Sequence, residues 1–156
     1  MIKHIPAAEL SDYIGRELEP SDWLRIEQER VNQFADATSD HQFIHVDAEA
    51  AAKTPFGGTI AHGFLTLSLL SHLLGKSGVA PKHVAMAINY GLNKLRFLEP
   101  VKVGQRVRVH QKITEVLEKR PQQWLITSAI SMEIDGETKP AFIAKLLSLF
   151  IVEKNQ

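Results

Sequence analysis

The sequence contains no cysteine. Disulfides, thiolate nucleophiles, cysteine-ligated zinc and iron–sulfur clusters are therefore excluded. It also lacks an excess of either charge, with 18 Lys and Arg against 18 Asp and Glu. A nucleic-acid partner calls for a basic surplus that neutralises phosphates, so that class is set aside. Long apolar runs are missing too. The longest, Ile60–Leu74, is broken by His62, Thr66, Ser68, Ser71 and His72. It falls short of the roughly 20 residues that a membrane span needs, so no membrane insertion is expected. Residues 1–10 hold no apolar core of signal-peptide length, which makes a cytoplasmic location the expectation. There is no low-complexity segment, internal repeat or Pro/Gly/Ser linker.

What is present is an ordinary globular mixture, 44% apolar and 23% charged over 156 residues. A chain of this size forms one domain, 1–156, and buries about 70% of its unfolded surface. The patterning changes once, near residue 80. Before it, helical spacing dominates. Val31, Phe34, Ala35 and Thr38 predict an amphipathic helix over Glu27–Thr38, preceded by a short strand at Trp23–Ile26. Asp47 is placed to cap a helix over Ala48–Lys53. Pro55–Thr59 reads as a turn, and Ile60–Leu74 as one long helix buried on all sides, ended by Gly75 and Gly78. After residue 80, strands dominate. Arg106–His110 alternates strictly. Trp124, Ile126, Ser128, Ile130, Met132 and Ile134 share one face, with Thr127, Ser131 and Glu133 on the other. Asp135-Gly136 signals a hairpin, and Ala141–Val152 predicts a final strand covered on both faces. The fold class is α+β, an antiparallel sheet wrapped on a long buried helix.

Polar side chains concentrate at Asp36, Ser39, Asp40, His41, Gln42, His45, Asp47 and, further on, His62. Three readings fit them. One is a solvated loop with a capping aspartate. Another is a metal site in which His41 and His45 share a helix face, with Asp40, Asp47 or His62 as third ligand. Against it, no glutamate follows His41 in the metalloprotease pattern, and Gln42-Phe43-Ile44 is a poor helix. The third is an acid–base pair, Asp40 and His45, which would hold and polarise one water. The next segment, Phe56–Phe64, brings Gly57, Gly58 and Gly63 to the start of a helix. Glycine admits close approach to the backbone, and the first N–H groups of a helix lack internal partners. A thioester carbonyl gaining enolate character would be held there. The same glycines would equally serve a turn and close helix–sheet packing.

Taken together, Asp40-x4-His45-x-Asp47, Phe56-Gly57 and Ile60-Ala61-His62-Gly63-Phe64 resemble the signature of the MaoC-like dehydratases, the (R)-specific enoyl-CoA hydratases. Leu95–Gly104 resembles that family's strand and turn after the helix, and Asn89–Lys94 its NodN-like branch. The resemblance implies a hot-dog fold and hydration of trans-2-enoyl-CoA. It implies Asp40 and His45 as catalytic dyad and the Gly63 N–H as the group that binds the thioester oxygen. It implies Ser71 as a hydroxyl supporting the dyad, with Ser68 competing for that place. Ser71 bonded to its own helix backbone is an equally open reading. Gln42 and Phe43 stand where many members have Asn-Pro, which makes Phe43 a residue that reshapes the acyl pocket. Phe56, His62, Asn93 and Arg96 join them as candidates for pocket or substrate contact. Gln105 replaces a frequent Asp as a turn difference.

The implied chemistry needs neither metal nor redox cofactor, with the coenzyme A thioester as substrate. Lys82, Lys94, Arg96 and Lys102 are candidate cations for its phosphates, or plain solvated surface. The resemblance further implies a homodimer. A hot-dog acyl-CoA thioesterase and a non-catalytic acyl-CoA-binding module are the alternatives. One geometric condition follows. If Thr59 caps the helix, the Gly63 N–H is consumed inside it. The oxygen-binding role therefore requires the helix to begin close to Ala61 or His62.

Overall fold

Val31 and Ala35 fall on one face of helix α1, Gln28–Thr38, and both are fully buried in the computed structural model, which describes residues 2–153. The short strand before it is β2, Leu24–Arg25. Ser39 stops the helix by adopting a left-handed conformation, φ 58°, with its N–H returned to the Ala35 carbonyl. The chain then makes a single helical turn, α2, Phe43–Val46, and a second short helix, α3, Ala48–Ala52. Asp47 caps α3 as its position predicts, its carboxylate accepting the Ala50 N–H at 2.9 Å.

The single long helix expected over Ile60–Leu74 is shorter and divided. Helix α4 covers Gly63–Ser68 and α5 covers Leu70–Leu74, with Leu69 between them. Ile60 and Ala61 stay outside the helix: Ile60 bridges antiparallel to Lys102, and their N–H groups bond across to the Ile44 carbonyl at 3.0 Å and the Val101 carbonyl at 2.8 Å. The helix is also not buried all round. Leu65, Thr66, Leu70 and Leu73 face the core, while Phe64 is 66% exposed and Ser68, Ser71 and His72 face outward.

Four long strands follow: β4 Val84–Phe97, β5 Arg106–Arg120, β6 Gln123–Ile134 and β7 Phe142–Val152. With β2 they form an antiparallel sheet in the order β2-β5-β6-β7-β4. Strict alternation in β5 sends Val107 and Val109 inward, and β6 does the same with Ile130, Met132 and Ile134. These side chains close on Leu65, Leu69, Leu70 and Leu73 of the helix. Each such burial is worth about 1.5–3 kcal/mol. A smaller apolar cluster of Ile5, Leu10, Val79, Ile113 and Ile126 lies under β1 (Lys3–Ile5), the 3-10 turn Ala7–Tyr13 and β3 (Val79–Pro81), which pairs parallel with β1.

Two strand expectations need correction. Asp135-Gly136 does turn, with Gly136 at φ 83°, but residues 135–141 join β6 to β7, so the connection is not a tight hairpin. The two-residue connection is Pro121-Gln122, between β5 and β6, with Gln122 at φ 66°. In β7, Phe142, Ala144 and Leu146 are buried but Ile143 and Lys145 are exposed, so the first half is covered on one face only. Strand β4 is the sheet's long edge, and Met86, Ile88, Tyr90 and Leu92 along it are exposed. Among the described residues no helix is long and apolar enough to cross a membrane.

Candidate active site

The turn at Ser39 releases the chain from α1 and places Asp40 at the surface, its side chain 54% exposed. Five residues on, α2 carries His45 inward, where the residue is 7% exposed. Its Nδ1 lies 2.7 Å from the Ile60 carbonyl oxygen. A carbonyl only accepts, so Nδ1 carries the proton and Nε2 holds the lone pair. Burial holds the imidazole below its ordinary pKa. The bond to Ile60 works against that shift, His62 adds to it, and Asp40 opposes it. His45 is thus a neutral ring with a free basic nitrogen beside a carboxylate.

The backbone of His45 is fixed from the far side. Gln28, the first residue of α1, donates from Nε2 to the His45 carbonyl at 2.8 Å and accepts the Thr59 hydroxyl at 2.6 Å. No sequence signal marks Gln28, whose role depends wholly on where the chain returns. Thr59 is buried and its carbonyl receives the Val103 N–H, so it belongs to the extended approach and not to the helix cap.

His62 occupies the N-cap position of α4 and is 3% exposed. Its Nε2 donates to the Asp40 backbone carbonyl at 2.9 Å. Its ring stacks on His45, with centroids 3.8 Å apart and planes 24° apart, and meets Phe34 at 5.0 Å. Its Nδ1 is buried with no hydrogen-bond partner. Such an orphaned atom costs about 1–3 kcal/mol. Polar atoms of Asp40, His45 and His62 all lie within 4.8 Å of one another, a spacing compatible with metal ligation. Within that group the His45 and His62 rings are stacked rather than splayed. His41 does not share a helix face with His45. It precedes α2, lies at the surface and pairs with Asp36 at 2.8 Å.

Gly63 is the first residue of α4, so its N–H has no partner within the helix. The geometric condition set by the sequence is met. A Cβ at this position would stand 3.0 Å from the Phe97 ring, which leaves glycine as the residue that fits without displacement. The helix hydroxyls divide in function. Ser68 donates to its own helix at the Phe64 carbonyl, 2.7 Å, whereas Ser71 accepts from Asn89 of β4 at 3.1 Å. Ser71 also lines a cavity of about 430 Å³ with Leu70, Leu74, Ile88, Leu146 and Phe150.

The other expected residues scatter more widely. Gln42 caps α2 through its carbonyl, which receives the His45 N–H. Phe43 is 47% exposed, and Phe56 is half-buried in the turn before Gly57. Asn93 and Arg96 are exposed on β4, with Arg96 donating to the neighbouring Leu95 carbonyl. Lys82, Lys94 and Lys102 are all exposed.

Comparison with known proteins places the chain in a family. Residues 9–133 match the MaoC like domain. The chain is 46% identical over 144 residues to the 3-hydroxyacyl-thioester dehydratase Z of Mycobacterium tuberculosis, covering 92% of this chain and 95% of the relative. It is 42% identical over 149 residues to Nodulation protein N of Rhizobium leguminosarum bv. viciae, covering 95% and 92%. Among solved structures, an R-hydratase from Pseudomonas aeruginosa superposes with a TM-score of 0.73 at 26% identity, over 96% of this chain and 88% of that one. The (R)-hydratase of A. caviae gives 0.70 at 28% identity, over 86% and 94%. The sheet curled on its helix is therefore the hot-dog fold, and the chain belongs to the MaoC-like family.

Proposed function

We propose that this hydro-lyase is an (R)-specific enoyl-CoA hydratase, adding water to trans-2-enoyl-CoA to give (R)-3-hydroxyacyl-CoA and catalysing the reverse dehydration. One observation carries the reading: a buried imidazole stands beside the Asp40 carboxylate, close to the start of a helix whose first residue, Gly63, has no intrahelical partner for its N–H. The relatives named as thioester dehydratases and the (R)-hydratase structures support it.

In this mechanism the thioester oxygen accepts the Gly63 N–H, where the helix start favours developing negative charge. Asp40 and His45 hold a water over C3. As the water oxygen bonds to C3, the pair takes one of its protons and the C2–C3 π electrons shift toward the carbonyl. The resulting enolate collapses as a proton is delivered to C2, so the pair ends in its starting state. Addition of both groups to one face is syn, and the family resemblance implies the face that gives the (R) alcohol. No metal or redox cofactor enters, and the coenzyme A ester is the substrate. The working form is a cytoplasmic homodimer, joined through the exposed apolar edge strand β4, because an open edge of this length is otherwise left unpaired.

The test is an assay with a short trans-2-enoyl-CoA, following loss of the conjugated enoyl absorbance while free thiol is titrated. Loss without thiol release is the expected result. Thiol release would identify a thioesterase, and binding without either change an acyl-CoA-binding module.

A further inference from the structure

His62 is the one buried titratable group at the site that the mechanism above leaves without a task. It makes three connections at once. Its Nε2–H holds the Asp40 backbone carbonyl, 2.9 Å away. Its ring lies flat on His45 at 3.8 Å. Its peptide carbonyl side leads directly into Gly63, for which it is the N-cap. The loop bearing the carboxylate and the turn bearing the imidazole both meet on this side chain, and the backbone that carries it runs on into the helix start at Gly63.

An alternative explanation, that the residue merely fills space, accounts poorly for its chemistry. A phenylalanine in the same slot would stack equally well on His45 and Phe34, and would leave no unpaired nitrogen. The histidine retains a buried, partnerless Nδ1. What it gains over an apolar ring is the Nε2–H donated to Asp40. What it gains over an amide is a flat face that fixes the tilt of the His45 ring.

We infer that His62 is the positioning residue of the dyad: through Nε2–H it sets the Asp40 backbone, and through its ring face it sets the orientation of His45, so that both act on the same water. In this role His62 acts through Asp40 and His45, in place of the pocket or substrate contact expected from the sequence. This rests on the assignment of Asp40 and His45 as the dyad.

Three variants of the full-length enzyme separate the two connections. His62→Phe keeps the ring face and removes the donor, His62→Gln keeps a donor and removes the face, and His62→Ala removes both. Each is compared with Asp40→Asn for kcat and KM on a short trans-2-enoyl-CoA, with thermal unfolding to normalise for folded protein. His62→Ala is expected to lose about tenfold to a hundredfold in kcat with KM nearly unchanged, the size of effect that misplaced reacting groups produce. The Phe and Gln variants should each recover part of that loss. A pH profile gives a second readout, taken on His62→Phe because that variant keeps the ring that buries His45. The ionisable groups set against His45 are Asp40, on the loop after α1, and His62, and of these His62 holds the imidazole down. The acid limb of kcat/KM should therefore move to higher pH in His62→Phe.

If the Ala variant fails to fold, the Phe and Gln pair carries the comparison. Full kcat per folded molecule in all folded His62 variants, together with an inactive Asp40→Asn, would overturn the positioning role and leave the dyad standing. Full activity in Asp40→Asn would instead remove the dyad on which the role depends.

Discussion

The Ile60 carbonyl accepts the Nδ1–H of His45 at 2.7 Å and thereby decides which nitrogen of that ring is basic. Ile60 can do this only because it is extended. Had the helix begun there, its carbonyl would have been spent on the residue four places on. The late start of α4 thus fixes the His45 tautomer and leaves the Gly63 N–H unpaired in a single arrangement.

Activity should depend on a neutral His45. Its pKa lies below the ordinary 6.5, chiefly through burial, so kcat/KM should hold through neutrality and fall only as pH drops through that lowered value. Stability has the same sign. The unfolded ring takes up its proton first on acidification, so the contribution of this group is complete above 6.5 and is lost as pH falls through the folded-state value. A pH–rate profile and unfolding curves at matched pH check both, and a His45→Gln enzyme should lose the acid limb along with about 10²–10⁴ of the rate.

Asp40→Asn should separate chemistry from folding. The side chain is more than half exposed, and the contact that His62 uses is the backbone carbonyl, which the substitution retains. Thermal stability should stay within about 0.5 kcal/mol of the parent, as for surface changes generally. Turnover should fall by orders of magnitude, and a near-normal kcat would remove Asp40 from the reaction.

Gly63→Ala tests the space at the helix start. The new methyl would meet the Phe97 ring at 3.0 Å, and that ring is half-exposed and free to yield. Melting should change little, while kcat/KM should drop by at least about tenfold, since a displaced oxyanion donor is costly. Steady-state kinetics with a short enoyl ester decide it.

Thr59→Val should act at a distance. It removes the hydroxyl that Gln28 accepts and leaves that amide oxygen without its 2.6 Å partner, loosening the grip of Gln28 on the His45 backbone. The expected loss is about 1–3 kcal/mol of stability. At about 2–4 °C per kcal/mol for a chain of this size, it is measurable by calorimetry.

Lysine at both Ile88 and Leu92 should convert the proposed dimer to a monomer. Both side chains are exposed on β4, where a charge opposes edge pairing. Sedimentation of parent and double variant at micromolar concentration reads the change, and a parent that already sediments as a monomer would sink the proposed interface.

Much of this was legible in the sequence, for identifiable reasons. Period-two alternation in Arg106–His110 and in Trp124–Ile134 reports a sheet with one face on the core, and both segments are strands. The Asp47 cap is a local interaction and needs no knowledge of the fold. The motif from Asp40 to Gly63 pointed to the family, because its residue types and spacing are written in the sequence itself and need no knowledge of the fold. The failures are tertiary. Ile60 and Ala61 carry no mark of being extended, since their partners, Ile44 and Val101, are supplied by folding. Gln28 and the stacking of His62 on His45 have the same origin. The hairpin signal at Asp135-Gly136 was correct about a turn and incorrect about its length, because Ala141 rejoins the ladder only at Met132.

Helix α2 is a single turn, Phe43–Val46, and a helix of that length does not persist on its own in water. His45 therefore has no private scaffold. Its station is held by Gln28 at the start of α1 and by Ile60 and His62 on the approach to α4, so it exists only once those two parts have docked. A nascent or partly melted molecule would be inert well before its sheet is lost. Turnover would then report the integrity of this corner more sensitively than any spectroscopic signal from the strands.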